Sequence, residues 1–270
     1  VLYPVRELDA AKVRYFNFAL AKEMGLISEN HPSTMCPDLE SVLIKTFAIR
    51  IVNEYDQSLG HGFRKLKPNR FMATRYLQSQ HDDKKGRTSG DGRGIWNGVV
   101  TQNGKTWDVS SRGTGVTCLA PGAVEAGKPL KTGGTEFGYG CGLADIDELY
   151  GSAVMSDIFH RMGIGTERAL LVLDLGNNTG IGVRAHHNLI RPAHLFRYLK
   201  LQDHRSLRRA VDYFIHRQVQ NGDWNMATKG QGRYLAMCQH VATSFAKLSA
   251  SLDVHYIFVW LDWDGDNILA

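Results

Sequence analysis

The turn at Asn103-Gly104 constrains the fold of this chain more than any other local feature of the sequence. Both residues tolerate positive φ, which the two-residue turn of a β-hairpin requires. The flanking segments, residues 94–100 and 105–110, have the length and composition of short strands. The sequence therefore predicts an antiparallel hairpin here.

A second hairpin is predicted later in the chain. Residues 169–175 form a continuous apolar run, which is typical of a buried strand. Residues 177–180, Asn-Asn-Thr-Gly, have the composition of a turn, and residues 181–185 provide the returning strand. Two such hairpins favour an antiparallel sheet.

Apolar residues at helical spacing predict helices around the hairpins. The predicted helices cover residues 9–22, 37–51, 145–162, 192–200, 204–219 and 231–250, and a final buried strand is predicted over residues 255–261. Residues 80–93 are predicted to be a loop, and the glycine-rich residues 113–142 a functional loop or an insertion. Because helices and hairpins occur in blocks and not in alternating βαβ units, the sequence predicts the α+β class.

Composition narrows the range of partners. A chain of 270 residues can bury a substantial core as one large domain or two small ones. The formal net charge of +5 is mild and the basic residues are spread along the chain, so no nucleic-acid partner is expected. No apolar run reaches the roughly 18–20 residues that span a bilayer, so no membrane partner is expected. The four cysteines have no zinc-type spacing, which favours reduced thiols that are incidental to the structure.

Glycines and arginines recur along the middle of the chain. Residues 89–93 read Ser-Gly-Asp-Gly-Arg, and they are followed by Arg112, Arg184 and Arg191. Glycines let the backbone approach a ligand closely, and arginines are suited to bidentate binding of phosphate. The sequence therefore predicts a site for a phosphorylated ligand.

Six segments occur in an informative order along the chain: 90–94 (GDGRG), 107–117 (WDVSSRGTGVT), 145–149 (DIDEL), 162–170 (MGIGTERAL), the arginines at 184 and 191, and 207–217 (LRRAVDYFIHR). In this order they resemble motifs of the selenoprotein-O family, the protein adenylyltransferases built on a pseudokinase fold. The family's motifs are GDGRA, WxLxLKGxGxT, SSIREF at the place of DIDEL, LGIPTTRAL, a pair of arginines at the same spacing, and LxxLxDYxIxR. The resemblance covers roughly residues 88–270 and does not extend to the first 87.

This resemblance implies a protein-kinase-like, two-lobed fold. Residues 88–190 correspond to the nucleotide-binding lobe and residues 191–270 to the helical lobe, which is expected to stop before the family's second metal ligand. Residues 1–87 are expected to form a helical N-terminal region.

The resemblance also implies which residues contact the nucleotide. Six residues are expected to bind its phosphates, as the charge and geometry of arginine allow. They are Gly90, Gly92, Arg93, Arg112, Arg184 and Arg191.

Three further residues are expected to complete the site. Glu148 corresponds to the helix glutamate that pairs with the strand cation, which is Arg112 here where the family has lysine. Asp266 is expected to accept the proton of the attacking hydroxyl, and Asn267 to ligate the metal. The C-terminal acids also allow an EF-hand-like calcium loop or a plain acidic turn.

The implied cofactors are ATP and Mg²⁺, with Mn²⁺ as a substitute, and the implied partners are proteins whose Ser, Thr or Tyr hydroxyls receive AMP. The alternative is a catalytically inactive nucleotide-binding pseudokinase or scaffold module, because Arg112 replaces the lysine and the chain ends at Ala270, before the second metal aspartate.

The resemblance leaves the cellular location open. Relatives occur in bacteria and in mitochondria, so the cytoplasm of a bacterium and the mitochondrion are both compatible with it. The sequence starts at Val1 and shows no targeting segment, which favours a trimmed N-terminus.

Overall fold

The computed structural model describes residues 1–60, 65–78, 86–137, 139–257 and 265–269. The strands are β1 (Leu2–Glu7), β2 (Lys12–Phe16), β3 (Ile49–Ile51), β4 (Leu66–Met72), β5 (Arg75–Gln78), β6 (Arg87–Gly90), β7 (Gly94–Gln102), β8 (Lys105–Arg112), β9 (Ala144–Asp145), β10 (Arg168–Gly176) and β11 (Thr179–His186). The helices are α1 (Phe18–Glu23), α2 (Pro37–Phe47), α3 (Glu54–Ser58), α4 (Pro121–Ala126), α5 (Ile146–Arg161), α6 (Pro192–Lys200), α7 (His204–Gln220) and α8 (Gly232–Val254).

The main sheet is antiparallel in the part of the chain that the structure describes. Its strands follow the order β2-β10-β11-β8-β7-β4-β1-β3, with β9 paired to β11, and β5 and β6 form a separate two-stranded sheet. The α+β prediction is confirmed. Both predicted hairpins are present as β7–β8 and β10–β11. Asn103 and Gly104 adopt φ angles of 51° and 78°, as the tight turn requires.

The prediction that residues 1–87 form a helical region is wrong. Residues 12–16 are strand β2, whose Val13 and Phe16 pair with Leu173 and Leu171 of β10. Helix α1 starts only after Asn17, whose side chain accepts a hydrogen bond from the backbone N–H of Leu20. Pairing with a distant buried strand overrides the local helical spacing of the apolar residues.

Two more predicted boundaries need correction. The helix that begins at Pro37 ends at Phe47, because Ile49 and Ile51 bury their side chains in strand β3. Residues 87–90, predicted to be loop, form strand β6 and pair with β5. A strand was also predicted over residues 255–261. Residues 255–257, which follow the end of α8, do not form a strand, and residues 258–261 lie outside the described residues.

The main sheet is strongly curved. Strands β1 and β2 are six strand spacings apart in the sheet order, which is about 29 Å in a flat sheet. Yet the five Cα steps from Glu7 to Lys12 span at most about 19 Å. The pairing of β4 with β7 consists of one residue pair, Met72 with Trp96. The sheet therefore bends between β4 and β7, so that the end formed by β2 approaches the end formed by β1 and β3.

Helices cover the curved sheet on different sides. Helices α1 and α2 pack on β8, β10 and β11 through a core that includes Leu20, Leu43 and Leu171. Helix α5 packs on β10 and β11 through Leu149 and Ala153. Among the described residues, no helix is long and apolar enough to cross a membrane.

A buried ion pair joins helix α7 to strand β8. Arg217 Nη2 lies 3.2 Å from Asp108 Oδ2, and the two side chains are only 8% and 7% exposed. The second carboxylate oxygen, Oδ1, accepts a hydrogen bond of 3.0 Å from Trp96 Nε1, and Oδ2 also accepts one from the backbone N–H of Leu189. Asp108 therefore connects the sheet, the segment after β11 and the C-terminal helices.

Candidate functional site

A large cleft opens beside strands β6–β8 and β11. Its volume is about 1150 Å³, and its walls come from β5, β6, the glycine-rich segment after β8, the loop before β10, and residues 266–269. The cleft is lined by eight of the nine residues predicted to form the site: Gly90, Gly92, Arg93, Arg112, Arg184, Arg191, Asp266 and Asn267. The ninth, Glu148, contacts two of these arginines from helix α5. The structure thus brings together residues that are up to 177 positions apart in sequence, from Gly90 to Asn267.

Glu148 forms its closest ion pair with Arg93. The two arginine Nη atoms donate hydrogen bonds of 2.8 and 2.7 Å to the two carboxylate oxygens. The Nη1 atom of Arg112 lies 3.4 Å from Glu148 Oε1, and its Nη2 atom donates to the hydroxyl of Ser152. The predicted contact between Glu148 and the strand cation is present, but Arg93 is the partner that fits the carboxylate bidentately.

The neighbouring arginines keep Glu148 ionised. Burial raises the pKa of Glu148, but the hydrogen bonds and charge of Arg93 outweigh burial and hold that pKa below its usual value. Burial lowers the pKa of Arg112, and the nearby Arg184 guanidinium lowers it further. A group of close positive charges is therefore present on one wall of the cleft, partly balanced by carboxylates.

Arg184 is held by an acid that was not predicted. Its Nη1 atom donates to Glu167 Oε2, and its Nε atom donates a hydrogen bond of 2.9 Å to the hydroxyl of Ser110. Burial raises the pKa of Glu167, but Arg184 and Arg112 lower it to about 2. Glu167 thus carries a full negative charge beside two arginines at neutral pH.

Arg191 connects the cleft to the C-terminal residues. Its Nη1 atom donates hydrogen bonds of 2.7 Å to the backbone oxygen of Asp266 and 3.3 Å to the hydroxyl of Tyr76. Its guanidinium also lies over the Tyr76 ring, 5.3 Å from the ring centroid. The arginine therefore helps to position the segment that carries Asp266 and Asn267.

Asp266 is a buried carboxylate at the same end of the cleft. The residue is 4% exposed, and its Oδ2 atom accepts a hydrogen bond of 2.9 Å from Gln78 Nε2. The side chain of Gln78 in turn accepts a hydrogen bond from Ser89. A buried carboxylate with ordered partners is an exception among aspartates, which are mostly exposed. The calcium-loop alternative depends on residues 262 and 264, which lie outside the described residues.

The glycines of the GDGRG segment are required by packing. A Cβ atom at Gly90 would lie 2.0 Å from the backbone oxygen of Thr74, and one at Gly92 would lie 2.8 Å from Cα of Ala120. These distances are far shorter than van der Waals contact. The glycines line the cleft, but close backbone packing alone accounts for their identity.

We expect Gly90→Ala to lower the free energy of unfolding by about 1–3 kcal/mol, because the new methyl group overlaps the backbone oxygen of Thr74, which accepts a hydrogen bond from the backbone N–H of Asp91. Urea unfolding measures the change. The matched control is Gly151→Ala in helix α5, where a Cβ would have no heavy atom within 4 Å. This control should raise stability by about 0.5–1 kcal/mol. Equal stability of Gly90→Ala and the unsubstituted protein would contradict the packing explanation.

Sequence reasoning missed three side chains of the site: Glu167, Tyr76 and Gln78. The signal for Glu167 was present, because an acid stands in the 162–170 segment where the family motif has threonine. The signal for the other two was absent, since residues 1–87 show no resemblance and were expected to be helical. Strand β5 places both side chains against the C-terminal segment and α6.

Low pH should reduce the free energy of unfolding, partly through protonation of Glu167. A carboxyl group with a lowered folded-state pKa contributes stability above its ordinary pKa, and this contribution is lost as pH falls through the folded value. For Glu167 that window runs from 4.5 down to about 2. We expect the stability difference between the unsubstituted protein and Glu167→Gln to shrink between about pH 6 and about pH 3. Urea midpoints of both proteins at these pH values measure it, and a constant difference would contradict the assignment.

The comparisons with known proteins add no relative: the sequence matches no protein-family model, and a search among curated proteins finds none that is significantly similar. The structure shows an α+β protein with an arginine-lined cleft. The resemblance to the selenoprotein-O family rests on the six motifs and their order along the chain.

Proposed function

We propose that this chain binds ATP in the arginine-lined cleft and transfers AMP to hydroxyl groups of proteins. The observation that carries the proposal is the convergence of Arg93, Arg112, Arg184 and Arg191 on one cleft that also contains the buried carboxylate of Asp266. Triphosphate chemistry requires this kind of concentrated positive charge.

The proposed architecture is kinase-like and two-lobed. In support, α5 packs on β10 and β11 of the antiparallel sheet, the helices from α6 onward follow the sheet in sequence, and Arg191 at the start of α6 lines the cleft. In a kinase-like lobe, a helix glutamate pairs with a strand cation near the phosphates. Glu148 of α5, with Arg112 of β8 3.4 Å away, fits that arrangement.

The residues have distinct roles in the proposed reaction. The hydroxyl oxygen of the protein substrate forms a bond to the α-phosphorus, the bond from that phosphorus to the bridging oxygen breaks, and pyrophosphate leaves. The carboxylate of Asp266 accepts the hydroxyl proton. Arginines neutralise charge on the transferred group and on the leaving pyrophosphate.

The donor set of the cleft fits a metal that arrives with the nucleotide. Among the described residues there is no group of three or more His, Cys, Asp or Glu side chains that could hold an ion on its own. Mg²⁺ bound to a nucleotide needs only one or two protein ligands besides the phosphates, and the side-chain oxygen of Asn267 is of a suitable type. When bound, Mg²⁺ or Mn²⁺ supplies further charge neutralisation on the phosphates.

Labelled ATP tests the reaction directly. The protein is incubated with candidate protein substrates, including itself, and either α-labelled or γ-labelled ATP. Adenylylation transfers the α label and leaves the γ label in pyrophosphate. Transfer of only the γ label would replace the proposal with phosphorylation.

A second function, a catalytically inactive nucleotide-binding module, is favoured by the ion pairs of the arginines. Arg93 and Arg184 are each held by a carboxylate, and Arg112 stands where the family has lysine. Thermal unfolding with ATP, with and without Mg²⁺, distinguishes the two functions when it is combined with the labelling experiment. Stabilisation by ATP without transfer of label to any substrate supports the inactive module.

A further inference from the structure

Glu167 is paired with Arg184 and lies near Arg112 on the inner wall of the cleft. Its carboxylate accepts a hydrogen bond from Arg184, and both side chains are largely covered, with exposed fractions of 27% for Glu167 and 20% for Arg184. Arg112 is close enough to lower the pKa of the same carboxylate. All three side chains line the cleft, and they also border a small void of about 20 Å³ behind it.

A carboxylate in this position has the same chemical partners as a phosphate group. Guanidinium groups bind both anions through parallel N–H donors, so one arginine does not serve both fully at once. Arg184 donates to Ser110 with its Nε atom and to Glu167 with Nη1. A phosphate that reaches this arginine therefore competes with Glu167 for the guanidinium.

The segment that carries Glu167 lies outside the helices and strands. Residues 164–167 have no regular secondary structure between α5 and β10. Gly163 adopts a φ angle of +72°, and a Cβ atom at Gly163 or Gly165 would meet no heavy atom within 4 Å. Movement of the carboxylate away from Arg184 therefore involves a connecting segment and does not require a strand of the sheet to shift.

We propose that Glu167 is an internal competitor for phosphate: its carboxylate occupies the anion position at Arg184, close to Arg112, and a phosphate group of the ligand binds there by displacing it. The proposal rests on the proposed function in assigning these arginines to phosphate. It adds that the ligand must carry enough phosphate charge to outcompete a resident carboxylate. Polyphosphates, which reach several arginines of the cleft at once, are therefore preferred over single phosphates.

Titration calorimetry with inorganic pyrophosphate tests the competition. We expect Glu167→Gln, which keeps the shape and removes the charge, to bind pyrophosphate about 10- to 100-fold more tightly than the unsubstituted protein. The matched control is Glu125→Gln, which removes a carboxylate from the exposed rim of the same cleft. Because an exposed charge is screened by solvent, its effect on affinity should stay within about threefold.

Thermal unfolding supplies a second measurement. Glu167→Gln leaves a covered guanidinium without its carboxylate, so the variant should unfold at a lower temperature in the absence of anions. Pyrophosphate should then raise its unfolding temperature more than that of the unsubstituted protein. If Glu167→Gln does not fold, Glu167→Asp keeps the charge on a shorter side chain and should show the same gain in affinity to a smaller degree.

Three results would overturn the proposal: equal or weaker pyrophosphate binding by Glu167→Gln, an equal gain in Glu125→Gln, or no gain in Glu167→Asp where only that variant folds. The first result would make Glu167 a residue that positions Arg184 for the ligand. The calorimetry requires no AMP transfer, so the two proposals fail separately. A gain in pyrophosphate affinity without transfer of α label refutes only the adenylyltransferase function, whereas α-label transfer without this gain refutes only the competition.

Discussion

Asp108→Ala is expected to lower the free energy of unfolding by about 3–5 kcal/mol, the effect of removing one partner from a buried ion pair. The substitution leaves the Arg217 guanidinium buried without its carboxylate, since both side chains are less than 10% exposed. It also removes the acceptor for Trp96 Nε1 and for the backbone N–H of Leu189. Urea unfolding, followed by far-ultraviolet circular dichroism, measures the loss.

Two further variants make this prediction specific. Asp108→Asn keeps an acceptor for Trp96 but removes the charge, so its loss should lie below that of Asp108→Ala. Asp157→Ala removes the carboxylate of an exposed i,i+4 ion pair with Arg161 on helix α5, and it should cost only about 0.3–0.5 kcal/mol. Similar losses for Asp108→Ala and Asp157→Ala would show that the buried pair has no special weight.

Asp266→Asn is expected to reduce AMP transfer by about 100- to 10,000-fold, the usual contribution of a positioned general base. Asparagine retains an oxygen that can accept the hydrogen bond from Gln78, and the backbone oxygen that Arg191 contacts is unchanged. The cleft should therefore keep its shape, and ATP affinity should change by less than about tenfold. Single-turnover transfer of α label and titration with ATP measure the two quantities separately.

Asp253→Asn is the matched control, because this aspartate is exposed near the end of helix α8 and lies away from the cleft. Its transfer rate should equal that of the unsubstituted protein. Full transfer activity in Asp266→Asn would exclude Asp266 as the proton acceptor. A parallel loss of ATP binding would instead indicate that Asp266 supports the structure of the cleft.

Local signals predicted the elements whose form depends on nearby residues. The hairpin at Asn103-Gly104 follows from turn chemistry, and helix α5 follows from its apolar spacing and the glycine after it. Strand β2 was missed because its five residues gain stability from pairing with β10, which local spacing does not reveal. The same limit applies to β5, which contributes Tyr76 to the site.

The candidate site was predicted as a set of residues but not as a set of contacts. The order of the motifs selected arginines and acids that do meet in one cleft. It assigned Glu148 to Arg112, whereas the bidentate partner is Arg93, because the choice depends on side-chain reach across β7, β8 and α5. The glycine at position 90 was attributed to a ligand, whereas the structure accounts for it by the approach of the Thr74 backbone.

The curved sheet has a consequence for folding during synthesis. Strand β2 emerges from the ribosome well before its neighbour β10: Phe16 pairs with Leu171, 155 positions further along the chain. Contacts of such long sequence separation form slowly, because a large loop must close first. Until then β2 has no partner on that side and offers open hydrogen-bonding groups to other chains. Nascent chains that stop before β10 are therefore expected to aggregate, and a chaperone that covers residues 12–16 would raise the yield of folded protein.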